Sequence, residues 1–229
     1  MSHTLYVVGT PIGNLEEITP RALRTLRQVG LIAAENPAKT QRLLARYDIH
    51  TPMMHFTDAY DRQKQARTAA ILEALAQTDV ALVSEAGMPL LADPGYELLR
   101  SLREQEISVI AVPGPSALTA ALSVSGLPTA PLVFLGFAPR RPTARQALFT
   151  KFQDDPRTLA LYESPHRLSE TLQDAYATLG ERPIALCNEL TKLYEKTWRG
   201  PLSEAIRWLN NTPPRGEYVI VIGGARSAK

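Results

Sequence analysis

The chain of 229 residues is about one and a half average domains long, which leaves one large domain or two smaller ones. With 45% hydrophobic and 21% charged residues it lies far from the composition of disordered chains. The net charge of +2 announces no nucleic-acid partner by itself, because such partners are met by a concentrated basic face.

A single cysteine, Cys187, cannot close a disulfide within the chain or build a Cys-rich zinc module. His3, His50, His55 and His166 lack the i,i+4 pairing that a helical zinc site uses. No structural metal and a reducing, cytoplasmic setting are therefore expected. The N-terminus carries no basic segment followed by an apolar stretch, and no run approaches the roughly 18 to 20 apolar residues of a membrane span. Neither secretion nor membrane insertion is expected.

In chain order, Thr4 to Val8 reads as the first strand. Thr19 then caps a helix that opens on Pro20 and runs to Val29, with Leu23 and Leu26 on one face. A strand from Leu31 to Ala34 follows, then a helical pattern from about Arg62 to Gln77 and a strand from Val80 to Ser84. Gly95 to Arg103 is helical, Val109 to Val112 a strand, and Ser116 to Ser125 helical again. The remaining strands are Leu132 to Gly136, Leu159 to Tyr162, Ile184 to Cys187 and Tyr218 to Ile222. Helices at Ala144 to Phe152, Pro165 to Leu179 and Pro201 to Leu209 lie between them. Strands that alternate with helices predict an α/β fold. Val80 to Val83 and Leu159 to Tyr162 are continuously apolar, as strands covered on both faces are. The proline-flanked glycine in Val112-Pro-Gly-Pro-Ser116 marks a boundary between an N-terminal α/β domain, 1–113, and a C-terminal one, 114–224, with a short polar tail at 225–229.

Ligands of open α/β sheets sit beyond the carboxyl ends of strands, so the loops after each run carry the chemistry. They are Gly9-Thr-Pro-Ile-Gly-Asn14, Glu35-Asn-Pro-Ala-Lys-Thr40, the long Glu85 to Gly95 segment and Pro113-Gly-Pro-Ser116. Gly136-Phe-Ala-Pro-Arg-Arg141, Glu163-Ser-Pro-His-Arg167 and Asn188-Glu-Leu-Thr-Lys192 complete the set. The first reads G-x-x-x-G rather than G-x-G-x-x-G, and no P-loop or G-x-S-x-G elbow is present. Dinucleotide, nucleoside-triphosphate and serine-hydrolase readings fall away.

This ordered set of loops resembles the tetrapyrrole methylase superfamily over nearly the whole chain, most specifically its small-subunit ribosomal RNA branch. The resemblance is carried by Thr10-Pro-Ile-Gly-Asn-Leu15, Leu31-Ile-Ala-Ala-Glu35, Asp93-Pro-Gly-Tyr96 and Pro113-Gly-Pro-Ser-Ala117. Ser125-Gly-Leu-Pro128, Tyr162-Glu-Ser-Pro-His-Arg167, Glu189-Leu-Thr-Lys192 and Arg215-Gly-Glu217 add to it. The resemblance implies two α/β domains with S-adenosylmethionine (SAM) in a cleft between them and a homodimer. It also implies methylation of a cytidine ribose 2′-hydroxyl in ribosomal RNA or the small ribosomal subunit. The chain departs from the usual Glu-Asp-Thr-Arg-x-Thr at Asn36 and Ala38, and from Ser-Asp-Ala-Gly-Thr-Pro at Glu85 and Met88. Two alternatives stay open: a small-molecule methyltransferase of the same fold, and an RNA-binding relative that has lost catalysis.

Methyl transfer from a sulfonium needs position and dryness more than covalent help from the protein. Expected cofactor contacts are Pro11 beside its glycines, Glu85, Gly87 and Met88 in the long loop, Ser116 and Ala117 at a helix start, and Tyr162. Ser116 serves equally well as a plain N-cap. Candidates for the proton acceptor are Glu189, Lys192, Glu35 and His166. Candidate substrate cations are Arg140, Arg141, Arg167 and Lys39, with Arg145, Lys196 and Arg199 nearby in sequence.

Overall fold

The apolar runs become strands because flanking helices cover both of their faces, and two separate sheets result. A computed structural model describes residues 3–57 and 64–225. The chain divides into two units, Met1–Ser116 and Ala117–Lys229.

In unit 1, strands β1 (Leu5–Val8), β2 (Leu31–Ala34), β3 (Met53–His55), β4 (Val80–Val83) and β5 (Val109–Val112) form one sheet in the order β3-β2-β4-β1-β5. Every pairing is parallel. Helices α1 (Pro20–Gln28), α2 (Pro37–Arg46), α3 (Lys64–Leu75) and α4 (Tyr96–Glu104) connect them. Alternation along the strands assigns the two cores. Val8, Ile32, Ala34, Ala81 and Val83 meet Ala22 and Leu26 of α1 and Leu43 and Leu44 of α2. Leu5, Val7, Ala33, Val80 and Leu82 meet Ile71 and Leu75 of α3 and Leu98 and Leu102 of α4. Thr19 caps α1 through the Ala22 N–H at 3.0 Å, as its sequence predicts.

In unit 2, β6 (Leu132–Phe137), β7 (Thr158–Glu163), β8 (Pro183–Asn188), β9 (Lys196–Pro201) and β10 (Tyr218–Ile222) form a sheet in the order β6-β7-β10-β8-β9. The β6–β7 pair is parallel and the others are antiparallel. Besides α5 (Ala117–Ser125), the helices are α6 (Pro142–Thr150), α7 (Pro165–Leu179) and α8 (Leu202–Asn211). Phe149, Leu168, Leu172, Leu179, Leu202 and Leu209 from α6, α7 and α8 pack on Leu159, Leu161, Ile184, Leu186 and Ile220. The other face receives α5, whose Ala121 carbonyl accepts from the buried Cys187 thiol at 3.7 Å.

The two α/β sheets agree with the expected fold class, and three local readings need correction. All eight expected runs are strands, but β3 and β9 are added to them. The Glu35 to Thr40 segment is not all loop: α2 begins inside it, with Pro37 in the first turn and Asn36 as the cap. Arg145, expected beside a substrate, is 1% exposed within α6, where its Nε donates to Asp174 at 2.6 Å. The expected helix start at Arg62 and most of the 225–229 tail lie outside the described residues.

Candidate active-site loops

In unit 1, β2 and β4 are neighbours, yet the chain leaves them in opposite directions. After β2 it passes through α2 to β3, and after β4 through α4 to β5. Because α2 and α4 belong to different cores, the loops also depart toward opposite faces of the sheet. This is the switch point at which open parallel sheets take their ligands.

Four side chains meet there. Glu35 continues the ladder through its N–H to the Val83 carbonyl at 3.1 Å, and its Oε2 accepts the Glu85 N–H at 2.8 Å. Asn36 Nδ2 donates to Glu85 Oε2 at 3.0 Å, while Asn36 Oδ1 accepts the Lys39 N–H at 3.2 Å and starts α2. The Lys39 ammonium closes on Glu85 Oε1. Lys39 and Asn36 together hold the Glu85 carboxyl below its usual range. Asp93, in the same loop, is pushed the other way to about 6, by burial first and then by the charges of Glu35 and Glu85, against a Ser84 hydrogen bond.

Beside this cluster the backbone segments close tightly. Thr10 and Gly87 exchange backbone hydrogen bonds of 2.9 and 3.0 Å. Gly87 sits at φ +83°, a conformation that suits glycine. A Cβ on Gly9 would lie 2.7 Å from the Gly114 Cα and 2.6 Å from the Met88 sulfur, so these loops are in backbone contact. Met88 packs against the core around α3 and α4, which gives its side chain a structural task. Pro11 is half-buried, Ser116 ends unit 1 and Ala117 opens α5.

In unit 2, the pairing directions bring the ends of β6, β7 and β8 and the start of β10 to one edge of the sheet. Tyr218 stands opposite both Glu163 and Asn188. Glu189 follows at φ +49°, with its Oε1 accepting the Glu217 N–H at 2.9 Å and the Lys192 ammonium at 2.9 Å. Lys192 also reaches Glu217 Oε2 at 2.7 Å. Burial alone raises the Glu189 pKa, but the Glu217 N–H and Lys192 bring it below the usual value. Burial lowers that of Lys192, and Glu217 and Glu189 outweigh it, so the net shift is upward. Both carboxylates thus favour the charged form of Lys192, which suits it to holding Glu189 better than to accepting a proton.

Arg167 also differs from expectation. Its guanidinium donates to the buried Glu163 at 3.0 Å and to the Ala138 carbonyl at 2.5 Å, an anchoring role rather than a free cation. Arg199 likewise donates to the Val124 and Ser125 carbonyls. His166 is exposed in the first turn of α7, Arg140 and Arg141 are exposed before α6, and Tyr162 lies among aromatic rings of β6.

The structure thus joins Glu35, Lys39 and Glu85 in one unit and Glu189 and Lys192 in the other. Sequence reasoning quoted Asp93 and Glu217 within motifs but gave neither a place in the site. An acid between apolar residues and a Pro-Gly pair was the available signal for Asp93. Among the described residues, no group of three or more His, Cys, Asp or Glu is arranged to hold a metal ion. No described helix is long and apolar enough to cross a membrane.

The family profile of Tetrapyrrole (Corrin/Porphyrin) Methylases matches residues 4–206. A Ribosomal RNA small subunit methyltransferase I from Thermotoga maritima is 43% identical over 221 residues, 96% of this chain and 98% of its own. Its namesake from Synechocystis is 45% identical over 223 residues, 96% of this chain and 79% of its own. Among solved structures, a cobalt precorrin-4 methyltransferase superposes with a TM-score of 0.69 at 20% identity, covering 96% of this chain and 94% of its own. That likeness is one of fold. The chain belongs to the tetrapyrrole methylase family, and it is a methyltransferase.

Proposed function

We propose that the protein transfers a methyl group from SAM to the 2′-hydroxyl of a cytidine ribose in small-subunit ribosomal RNA. The observation that carries this reading is the 40–45% identity, across 96–99% of the chain, to relatives named for ribosomal RNA small subunit methylation. A cytoplasmic location follows from a ribosomal substrate. Action as a homodimer belongs to the same reading, and the exposed Leu193 and Tyr194 beyond β8 offer an apolar surface for it.

The donor set of unit 1 fits the cofactor's chemistry. Glu35, Glu85 and Asp93 present carboxylates suited to an amino group, ribose hydroxyls and a sulfonium charge, and the Gly87 segment presents backbone. When bound, the cofactor supplies an activated methyl group. Together with these acids, Pro11, Gly87, Met88 and Ser116 are the residues of this unit that would hold it.

Among the proton-acceptor candidates we favour Glu189. Two donors fix its Oε1, leaving Oε2 to accept a hydrogen bond from a ribose hydroxyl. A carboxylate of low pKa is a weak base toward a resting hydroxyl. It becomes adequate as the oxygen–carbon bond forms, because the hydroxyl proton grows steeply more acidic. Lys192 orients this carboxylate, and Arg140 and Arg141 offer cations to phosphate, whereas Lys39 is already engaged by Glu85.

The test is transfer of tritiated methyl from SAM to small ribosomal particles that lack native modifications, followed by alkaline hydrolysis. Label retained in an alkali-resistant dinucleotide is expected, because a 2′-O-methyl group blocks cleavage. Absence of label from that dinucleotide rejects the proposal. Glu189→Gln is expected to lower kcat about a hundredfold while leaving SAM affinity in place.

A further inference from the structure

The end of β6 does not continue the pattern of its beginning. Val133 and Leu135 pack against the core under α6, α7 and α8, so simple alternation would carry Phe137 into that same core. The register shows otherwise. Phe134 pairs with Ala160 and Phe137 with Tyr162, three steps along β6 against two along β7. The extra residue is a bulge, and Gly136 turns through it at φ +63°.

The bulge moves Phe137 to the face that carries Phe134. Both rings stand edge-on to Tyr162, with centroids 5.0 Å away for Phe134 and 5.5 Å for Phe137. Phe137 is nevertheless 56% exposed. A large apolar ring has thus been turned out of an available core and braced from below by a second ring, which costs burial energy and preserves orientation.

The chain beyond it is equally fixed. Arg167 Nη2 donates to the Ala138 and Pro139 carbonyls at 2.5 and 3.4 Å and is itself tied to buried Glu163. Arg140 and Arg141 come next and are exposed. The carboxylates of adjoining β7 and α7 are engaged elsewhere: Glu163 by Arg167 and Thr171, and Glu170 and Asp174 by Arg145. Helix α6 contains no acidic residue. An oriented aromatic face followed at once by two uncompensated cations suits one kind of partner, a strand with flat bases and a phosphate backbone.

We propose that Phe137 is a stacking platform for an unpaired base of the RNA substrate, with Arg140 and Arg141 on the phosphates that flank that base. This deepens the RNA reading above and rests on it. In that arrangement Tyr162 and Arg167 are positioning residues, the first beneath the ring and the second behind the loop.

Steady-state methyl transfer to small ribosomal particles reconstituted from unmodified RNA tests it, with SAM affinity measured separately by calorimetry. Phe137→Ala is expected to raise KM for the particles roughly tenfold, the usual cost of losing one stacked base, with kcat and SAM affinity unchanged. Phe137→Trp is expected to restore KM. The double variant Arg140→Glu, Arg141→Glu is expected to raise KM and to flatten its salt dependence by about two phosphate contacts. An unchanged KM in Phe137→Ala overturns the platform while leaving the RNA reading intact. So does a loss of SAM affinity at constant particle KM, which would make the ring a wall of the cofactor site. Failure of the tryptophan variant where alanine also fails reduces Phe137 to a packing residue. A wild-type protein that transfers no methyl to these particles overturns the RNA reading and the platform with it.

Discussion

Asn36 holds Glu85 with one end of its side chain and starts a helix with the other. Its Nδ2 donates to Glu85 Oε2 at 3.0 Å, and its Oδ1 accepts the Lys39 N–H at 3.2 Å. One side chain therefore sets both the entry of α2 and the direction of a carboxylate at the switch point. Two positions that depart from the usual family loops are thus in direct contact, the longer acid at position 85 meeting an amide donor at position 36.

Asn36→Ala should remove both bonds and lower the stability of unit 1 by about 1 kcal/mol, the ordinary cost of an N-cap. Asn36→Asp should keep the cap and place a second carboxylate against Glu85. Like charges raise each other's pKa in the folded state, so stability of this variant should fall as pH rises through the carboxylate range. Urea unfolding at pH 4 and pH 7 checks both. Equal pH profiles for wild type and Asn36→Asp would show that the contact with Glu85 does not matter.

Gly9 and Gly114 should tolerate alanine worse than Gly87 does. A Cβ on Gly114 would lie 2.7 Å from the Gly9 carbonyl oxygen, and backbone meets backbone in both directions, so no side-chain rotation relieves the clash. A Cβ on Gly87 finds 3.3 Å to Ile12, and its cost is mainly the positive φ. We expect losses of about 3 kcal/mol at the first two positions and about 1 kcal/mol at the third. Denaturant midpoints of the three alanine variants give the ranking directly.

The strands most legible in the sequence were those whose stability comes from burial on two faces. Leu5–Val8, Val80–Val83 and Tyr218–Ile222 are apolar throughout and central in their sheets. The two that escaped are edge strands, Met53–His55 and Lys196–Pro201. Lys196-Thr-Trp-Arg-Gly-Pro201 has no apolar run, and only its ladder with β8 makes it a strand. The site was legible to the same extent. Glu35 and Glu85 follow strands, so the rule about strand ends locates them. The fates of Arg145, Arg167 and Lys192 depend on partners distant in sequence, namely Asp174, the Ala138 carbonyl and Glu217, and no local spacing reveals those.

Asp93 should make stability depend on pH in an uncommon direction for a carboxylate. Its folded pKa, about 6, lies above the ordinary aspartate value of about 4, so between those values the folded state binds more protons than the unfolded one. Stability from this group is present below about pH 4 and declines as pH rises toward 6. Asp93→Asn removes that decline. The variant should therefore gain on wild type between pH 4 and pH 7 in urea unfolding. A constant difference across that range would place Asp93 in a more solvated setting than its burial implies.

Arg145 should be among the costliest single residues to truncate in unit 2. Its side chain is 1% exposed, donates to Asp174 at 2.6 Å and reaches Glu170 at 3.4 Å, so the pair joins α6 to α7 through a desolvated contact. Removing one partner leaves the Asp174 carboxylate, itself 13% exposed, without its counter-charge, a change that costs about 3–5 kcal/mol where such pairs are buried. Asp174→Asn should cost less, because an amide still accepts from the guanidinium. Replacing both residues with apolar ones of similar volume should recover part of the loss, since the uncompensated charge is then gone. Urea unfolding of Arg145→Met, Asp174→Asn and Arg145→Met with Asp174→Leu checks the order. If the double variant is as unstable as the sum of its parts, the cost is one of shape in the α6–α7 contact rather than of the orphaned carboxylate.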